Sequence, residues 1–229
     1  MKDLASIVQG TSLNQVKTIS IFEDWNDQLV SALSNDPPYS NSIDTSPSTS
    51  LSLAKALALK SYSLERLSIS YMIDAQQFFN SCQLSHTWTY LRSLALTSSI
   101  LTKSAPQKDI STLLQNASLA ALNMPQLENM VLWNSQQREA CAVIYRKNRA
   151  SGQAVLVWRG TWDLSHDVVE SWQKATSSSY LLRIEYERLE DVIIRSHGDA
   201  AHYLRLPCGV MDSTSLRQIR QEGMMQRMA

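Results

Sequence analysis

The chain has 229 residues, 44% of them hydrophobic and 18% charged, and its 21 Lys plus Arg balance 21 Asp plus Glu for a formal net charge of +0. That length can bury a substantial core, as one elongated unit or as two small domains. A nucleic-acid binder carries a basic surplus or stripe, so a balanced chain without a run of Lys or Arg argues against a polyanion partner.

The first ten residues contain the early acid Asp3 and no sustained apolar stretch, so they do not read as a secretory signal. Apolar runs such as Ala154 to Trp158 are too short to span a bilayer, and no membrane partner is expected. Cys82, Cys141 and Cys208 are odd in number and far apart, without a C-x-x-C pair. They read as buried thiols of a reducing compartment, which places the protein in the cytoplasm or nucleus with no metal site.

The dominant pattern is a repeated spelling, apolar-x-x-apolar-x-apolar. It occurs at Val16 to Ile21, Leu64 to Ile69, Leu91 to Leu96 and Leu127 to Leu132. This is the strand signature of leucine-rich repeats, in which each unit donates one strand to a stacked parallel sheet. The starts lie 48, 27 and 36 residues apart (16 to 64, 64 to 91, 91 to 127), so the units are degenerate, with helices and insertions between strands. The four segments are expected to be neighbouring parallel strands in chain order, their apolar positions facing inward.

Between the first two strands, Trp25, Leu29 and Leu33 fall four apart on one face of a helix over 24–33. Residues 34–50 are rich in Ser, Pro and Asn, bury little apolar area, and read as a mobile insertion. Leu53, Ala56, Leu57 and Lys60 then follow helical spacing over 51–59. Asp74 is expected to cap a helix from Ala75 to Cys82 with Phe78 and Phe79 on its apolar side. Asp109 is expected to cap the next, lined by Ile110, Leu113, Leu114, Ala117 and Ala121 and ended by Met124-Pro125.

From residue 140 the pattern changes. Ala140 to Tyr145 and Ala154 to Trp158 are rich in strand formers, and the seven residues Arg146 to Gly152 between them read as the connection of an antiparallel hairpin. Ser165 is expected to cap a helix carrying Val168, Val169 and Trp172. Leu181 to Tyr186 reads as a strand, and Ser215 to Met225 as a helix with Leu216, Ile219 and Arg220 at helical spacing. The fold class is thus α/β: an irregular leucine-rich-repeat-like stack over 1–139, closed by an α+β capping module over 140–229.

Two motifs stand out as candidate ligand- or partner-binding residues. Trp158-Arg159-Gly160-Thr161-Trp162 sets two tryptophans around an arginine, which makes either a cation–π pocket or, the favoured reading, hinge-packing core with Gly160 in a turn. His197-Gly198-Asp199-Ala200-Ala201-His202 crowds two histidines and a carboxylate. Ligating histidines on one helix face sit at i and i+4, whereas these are five apart. Asp199 is therefore read as the cap of a short helix and His197 as bonded locally to backbone, although a loop at Gly198 would let them meet a metal. Glu185 and Glu187 fall on one side of a strand, most simply the solvated one. No nucleophile elbow, phosphate loop, dinucleotide fingerprint or H-E-x-x-H helix occurs, so no catalytic residue and no cofactor are assigned.

Ile19 to Asp24, Leu64 to Ser70, Asp74 to Phe79, Leu94 to Ser98, Met124 to Glu128, Trp158 to Trp162, Ser196 to Ala200 and Ser215 to Arg220 together resemble a known family. It is the C-terminal half of fungal F-box-like proteins of unknown function with an irregular leucine-rich stack. The resemblance covers nearly the whole chain and implies a non-catalytic recognition module, the substrate-binding half of an F-box-like receptor. The alternative is an auxiliary small-molecule binder or weak enzyme of fungal specialised metabolism. Members resembling this chain carry an F-box and earlier repeats ahead of the point where it begins. The isolated chain is therefore expected not to bind the adaptor of a cullin-type ubiquitin ligase. It is expected to self-associate, or to need a partner protein, through the edge of its first strand.

Overall fold

The structure, a computed structural model, describes residues 4–10, 15–23, 47–83, 85–136, 138–162, 165–176, 180–189 and 192–225. The four repeat segments become β1 (Thr18–Phe22), β2 (Arg66–Ser70), β3 (Ser93–Thr97) and β4 (Asn129–Gln136), parallel and adjacent in chain order. Ile19, Leu67, Leu94 and Met130 stand side by side, and Ile21, Ile69, Leu96 and Leu132 form the next row. Strand side chains alternate between faces, so spacing by two puts both rows on one side of the sheet. From β2 to β4 these residues are all but fully buried. Leu64, Leu91 and Leu127, at the first position of each repeat, precede their strands and are buried at 0% exposure in the same core.

Beyond the repeats, β5 (Glu139–Asn148), β6 (Gln153–Gly160) and β7 (Leu181–Arg188) complete one seven-stranded sheet in the order β1 to β7. β4 continues past its repeat to Gln136 and pairs antiparallel with β5, so the sheet runs unbroken across residue 140. β5 and β6 form the expected antiparallel hairpin, and β7 returns parallel to β6. Both hairpin strands are longer than their apolar runs, which leaves a connection of 149–152 rather than seven residues. Asn148 closes this turn, its Oδ1 accepting from the N–H groups of Ala150 and Ser151, and Gly152 supplies the left-handed φ of 63°.

Seven helices accompany the sheet among the described residues, giving a mixed α/β fold. α1 (Leu4–Gln9), α2 (Pro47–Ser61), α3 (Ala75–Ser81), α4 (Gln107–Leu122) and α5 (His166–Ala175) pack each against the next over the leucine rows. α6 (His197–Tyr203) and α7 (Ser213–Met225) pack together on the opposite side, α6 lying against β4 and β5. Helical crossovers join the parallel strands because a short loop cannot return the chain to the same end of the sheet.

Local signals worked where the partner is close in sequence. Asp74 caps α3, with Oδ1 2.8 Å from the Gln76 nitrogen, and also accepts from the Ser98 and Ser99 hydroxyls and the Ser99 N–H, tying the ends of β2 and β3. Asp109 is not a cap: it sits inside the first turn of α4, where Pro106 occupies the cap position without a side-chain bond. The helix read over 24–33 and most of the insertion, 34–46, lie outside the described residues. Residues 47–50, counted with that insertion, instead open α2, with Pro47 at its first position, where a missing N–H costs no helical bond.

Candidate functional site

The two faces of the sheet separate the residues singled out from sequence. Trp158 and Trp162 belong to the five-helix face, their rings edge-to-face at 4.5 Å, and the Trp158 indole N–H donates to the Trp162 carbonyl at 2.7 Å. Both are buried core. Arg159, the next residue on β6, points to the other face together with His197 and Asp199 on α6. The tryptophans and the arginine therefore do not share a cation–π pocket.

On the two-helix face the polar side chains form ties between elements distant in sequence. Arg159, 7% exposed, donates through Nε to Glu187 Oε2 at 2.6 Å, across the β6–β7 register. Its Nη1 reaches the carbonyl oxygens of Leu204 and Arg205, just beyond α6. The guanidinium holds the Glu187 carboxyl below its ordinary value, since a donor fixed on the charged form favours ionisation. Glu187 is thus a structural partner and not merely a solvated acid, whereas Glu185 pairs with Arg183 on its own strand.

His197 is buried, and its Nδ1 lies 2.7 Å from Ser135 Oγ and 2.9 Å from the Ser135 carbonyl, at the end of β4. The local backbone contact expected of His197 is replaced by one 62 residues away. Tyr71, just past β2, joins them: its hydroxyl is 2.6 Å from Ser135 Oγ and its ring packs edge-on to His197 and Trp133. Tyr71 holds a left-handed φ of 65°, and its N–H donates to Thr97 Oγ1 at 2.6 Å. The helix cap is Ser196, not Asp199. The Ser196 hydroxyl accepts from the Asp199 N–H, and Asp199 Oδ2 accepts from the Arg195 N–H, a reciprocal arrangement close to a capping box.

A serine oxygen against an imidazole nitrogen at 2.7 Å has the spacing of a nucleophile and its base. Here, however, Ser135 is 0% exposed and its oxygen also meets the Tyr71 hydroxyl, so the trio fastens α6 to the ends of β2 and β4. Sequence reading missed Tyr71 and Ser135 because neither belongs to a motif; only pairing across the sheet brings them to His197. Gly198 has a similar long-range reason. A Cβ there would meet the Ile219 carbonyl carbon at 2.9 Å, so the glycine lets α7 lie directly on α6.

Solvent reaches this face beside the ties. A cleft of about 570 Å³ lies between α6, the 205–212 loop and α7, and His202, Arg205, Leu206, Met211, Leu216 and Arg220 line it. A smaller one of about 230 Å³ runs between the loop at Cys208 to Asp212 and β1–β2. Of the three thiols, Cys141 is buried and Cys82 half-buried, and burial pushes Cys82 up to about 12, whereas Cys208 is exposed, contrary to expectation. Among the described residues no group of three His, Cys, Asp or Glu is placed to hold a metal ion, and no helix is long and apolar enough to cross a membrane.

A seven-stranded mixed sheet with helices on both faces defines the class: an α/β protein. Residues 11–212 match a family described as a family of unknown function (DUF6546), and the chain belongs to it. The match takes in all seven strands and α6 and stops before α7. No curated protein and no solved structure matches the chain.

Proposed function

We propose that this chain is a non-catalytic recognition module that binds another protein, in keeping with its F-box-like resemblance. On this reading β1–β4 and their crossovers are an irregular leucine-rich-repeat-like stack, and β5–β7 with α6 and α7 are its C-terminal cap. Support comes from the leucine rows, which face the helices as repeat leucines do. The groups that carry chemistry, Arg159, Ser135, His197 and Asp199, each make bonds inside the fold, His197 through Nδ1.

The observation that carries the proposal is the edge at β1. Among the described residues no strand pairs with its outer side. The Lys17 carbonyl accepts from Glu65 and Arg66 on the β2 side, so alternation turns the N–H groups of Thr18, Ser20 and Phe22 outward. Such a row is a template for a strand from another chain, by β-augmentation or by self-association. The test is light scattering over a concentration series. Wild type is expected to rise above its 25.8 kDa monomer mass, and Ser20→Pro, which deletes one outward donor, to stay monomeric with its circular dichroism unchanged. A wild type that remains monomeric at every concentration refutes self-association through this edge.

A second reading, an auxiliary small-molecule binder, is favoured by the cleft between α6 and α7.

A further inference from the structure

The chain between α6 and α7 is held from below. After Tyr203 it reverses through Arg205, whose φ of 44° lies in the left-handed region, and turns again at Gly209 with φ 85°. Arg159 on β6 grips the carbonyls of Leu204 and Arg205, and the Ser68 hydroxyl on β2 donates to the Val210 carbonyl. Leu204 and Val210 are buried at 0% and 3% exposure. Both ends of the loop are therefore anchored to the sheet, and the cleft it borders is preformed rather than a gap under a loose segment.

The lining of that cleft carries three basic groups and one acid. Leu206, Met211 and Leu216 give it an apolar floor, and His202, Arg205 and Arg220 bring basic groups to it. Arg220 Nη2 lies 2.5 Å from His202 Nδ1. An arginine only donates, so the histidine accepts there and is neutral. Burial, then Arg220, then Arg205 hold His202 below its ordinary value. Arg220 Nε is shielded from water and meets no acceptor among the described residues, an arrangement that costs energy unless an acceptor arrives. The one acid in the lining, Asp212, is engaged elsewhere: its Oδ2 accepts from the N–H groups of Thr214 and Ser215 at 2.9 and 3.1 Å and so caps α7. Glu187, whose carboxyl Arg205 also helps to lower, is taken by Arg159.

We propose that this cleft binds a small amphipathic carboxylate, its head group between Arg205 and Arg220 and its hydrocarbon body on Leu206, Met211 and Leu216. Its volume falls in the range of small-molecule sites, and a few polar groups on an apolar lining match their usual composition. Guanidinium groups suit a carboxylate because two parallel N–H donors match its two oxygens. The match to DUF6546 ends at residue 212, so Leu216 and Arg220 lie beyond it. The inference rests on the small-molecule reading and is independent of the β1 edge.

Calorimetry on the full chain with octanoate, octan-1-ol and inorganic phosphate tests it. Octanoate is expected to bind saturably at one site, and the neutral alcohol and the bare anion at least tenfold more weakly. Arg220→Gln should weaken octanoate tenfold or more, and Arg220→Lys should retain part of the affinity. Arg205→Gln, a change at an exposed side chain, provides the same reading should Arg220→Gln fail to fold. Octanoate binding no tighter than octan-1-ol, or unchanged in Arg205→Gln, overturns the proposal, as does no binding at all. The β1 edge is judged separately, by light scattering without ligand, so the two proposals fail independently.

Discussion

The two faces of the sheet both bury apolar residues but differ in how far directional bonds add to that burial. On the five-helix face, Leu67, Leu94, Ile69 and Leu96 bury apolar surface against α1–α5 without a directional bond. On the other face the strands offer Ser68, Ser70, Ala95 and Thr97, and α6, α7 and their loop are fastened by particular atoms: Ser135 to His197, Arg159 to Glu187 and Arg205, Ser68 to Val210. Apolar burial scales with area and tolerates small shifts, whereas a hydrogen bond is lost over a fraction of an ångström. The first face carries the larger apolar core; the second has a smaller one, with Val131, Trp133, Ile144, Val157, Leu204 and Val210, and uses its directional ties to position a surface. The accessible clefts at the C-terminal loop lie on the second face.

That contrast can be broken from either side. The largest expected effect is on the leucine rows: Leu67→Ala or Leu94→Ala should cost about 2–5 kcal/mol in chemical denaturation, through lost burial and the cavity left behind. An unchanged midpoint for either would show that these rows do not carry the fold. Next comes Gly198→Ala, which presses a methyl into the Ile219 backbone and should cost about 1–3 kcal/mol. Its signature is selective, with α7 becoming sensitive to limited proteolysis while the β2–β4 amides keep their exchange protection; equal loss at both places would mean that the two faces do not separate. The smallest effect is electrostatic. Glu187 has its carboxyl lowered in the folded state, first by the hydrogen bond from Arg159, so the pair's stabilisation is fully present above the ordinary value of 4.5. It is lost as the pH falls through the lower folded value. With 42% of the Glu187 side chain exposed, solvent screening limits this to at most about 1 kcal/mol. Glu187→Gln should flatten that part of the stability curve below pH 4.5, and a variant with the wild-type acid slope would assign the slope to other carboxylates.

The first face was legible in the sequence to the level of side chains. The spacing of Leu64, Leu67 and Ile69, repeated at Leu91, Leu94 and Leu96, located two strands and chose their buried side. Asp74 as a cap and the faces of α4 and α5 were legible for the same reason, since the residues that interact lie within about one helical turn. The candidate site was legible only as a set of residue names. Arg159, His197 and Asp199 share a face, but Trp158 and Trp162 lie on the other, and Asp199 and His197 take partners different from those local logic assigned.

The sequence by itself determined the parallel strands and the described helices between them, because period and propensity act over a few residues and recur wherever the pattern does. The tertiary structure alone decided that β4 continues into an antiparallel pairing with β5. It also brought Tyr71 and His197 to Ser135, from 64 and 62 residues away, and set Gly198 against Ile219. Those contacts join segments whose separation along the chain leaves no periodic trace, and each depends on which face a strand turns toward which helix.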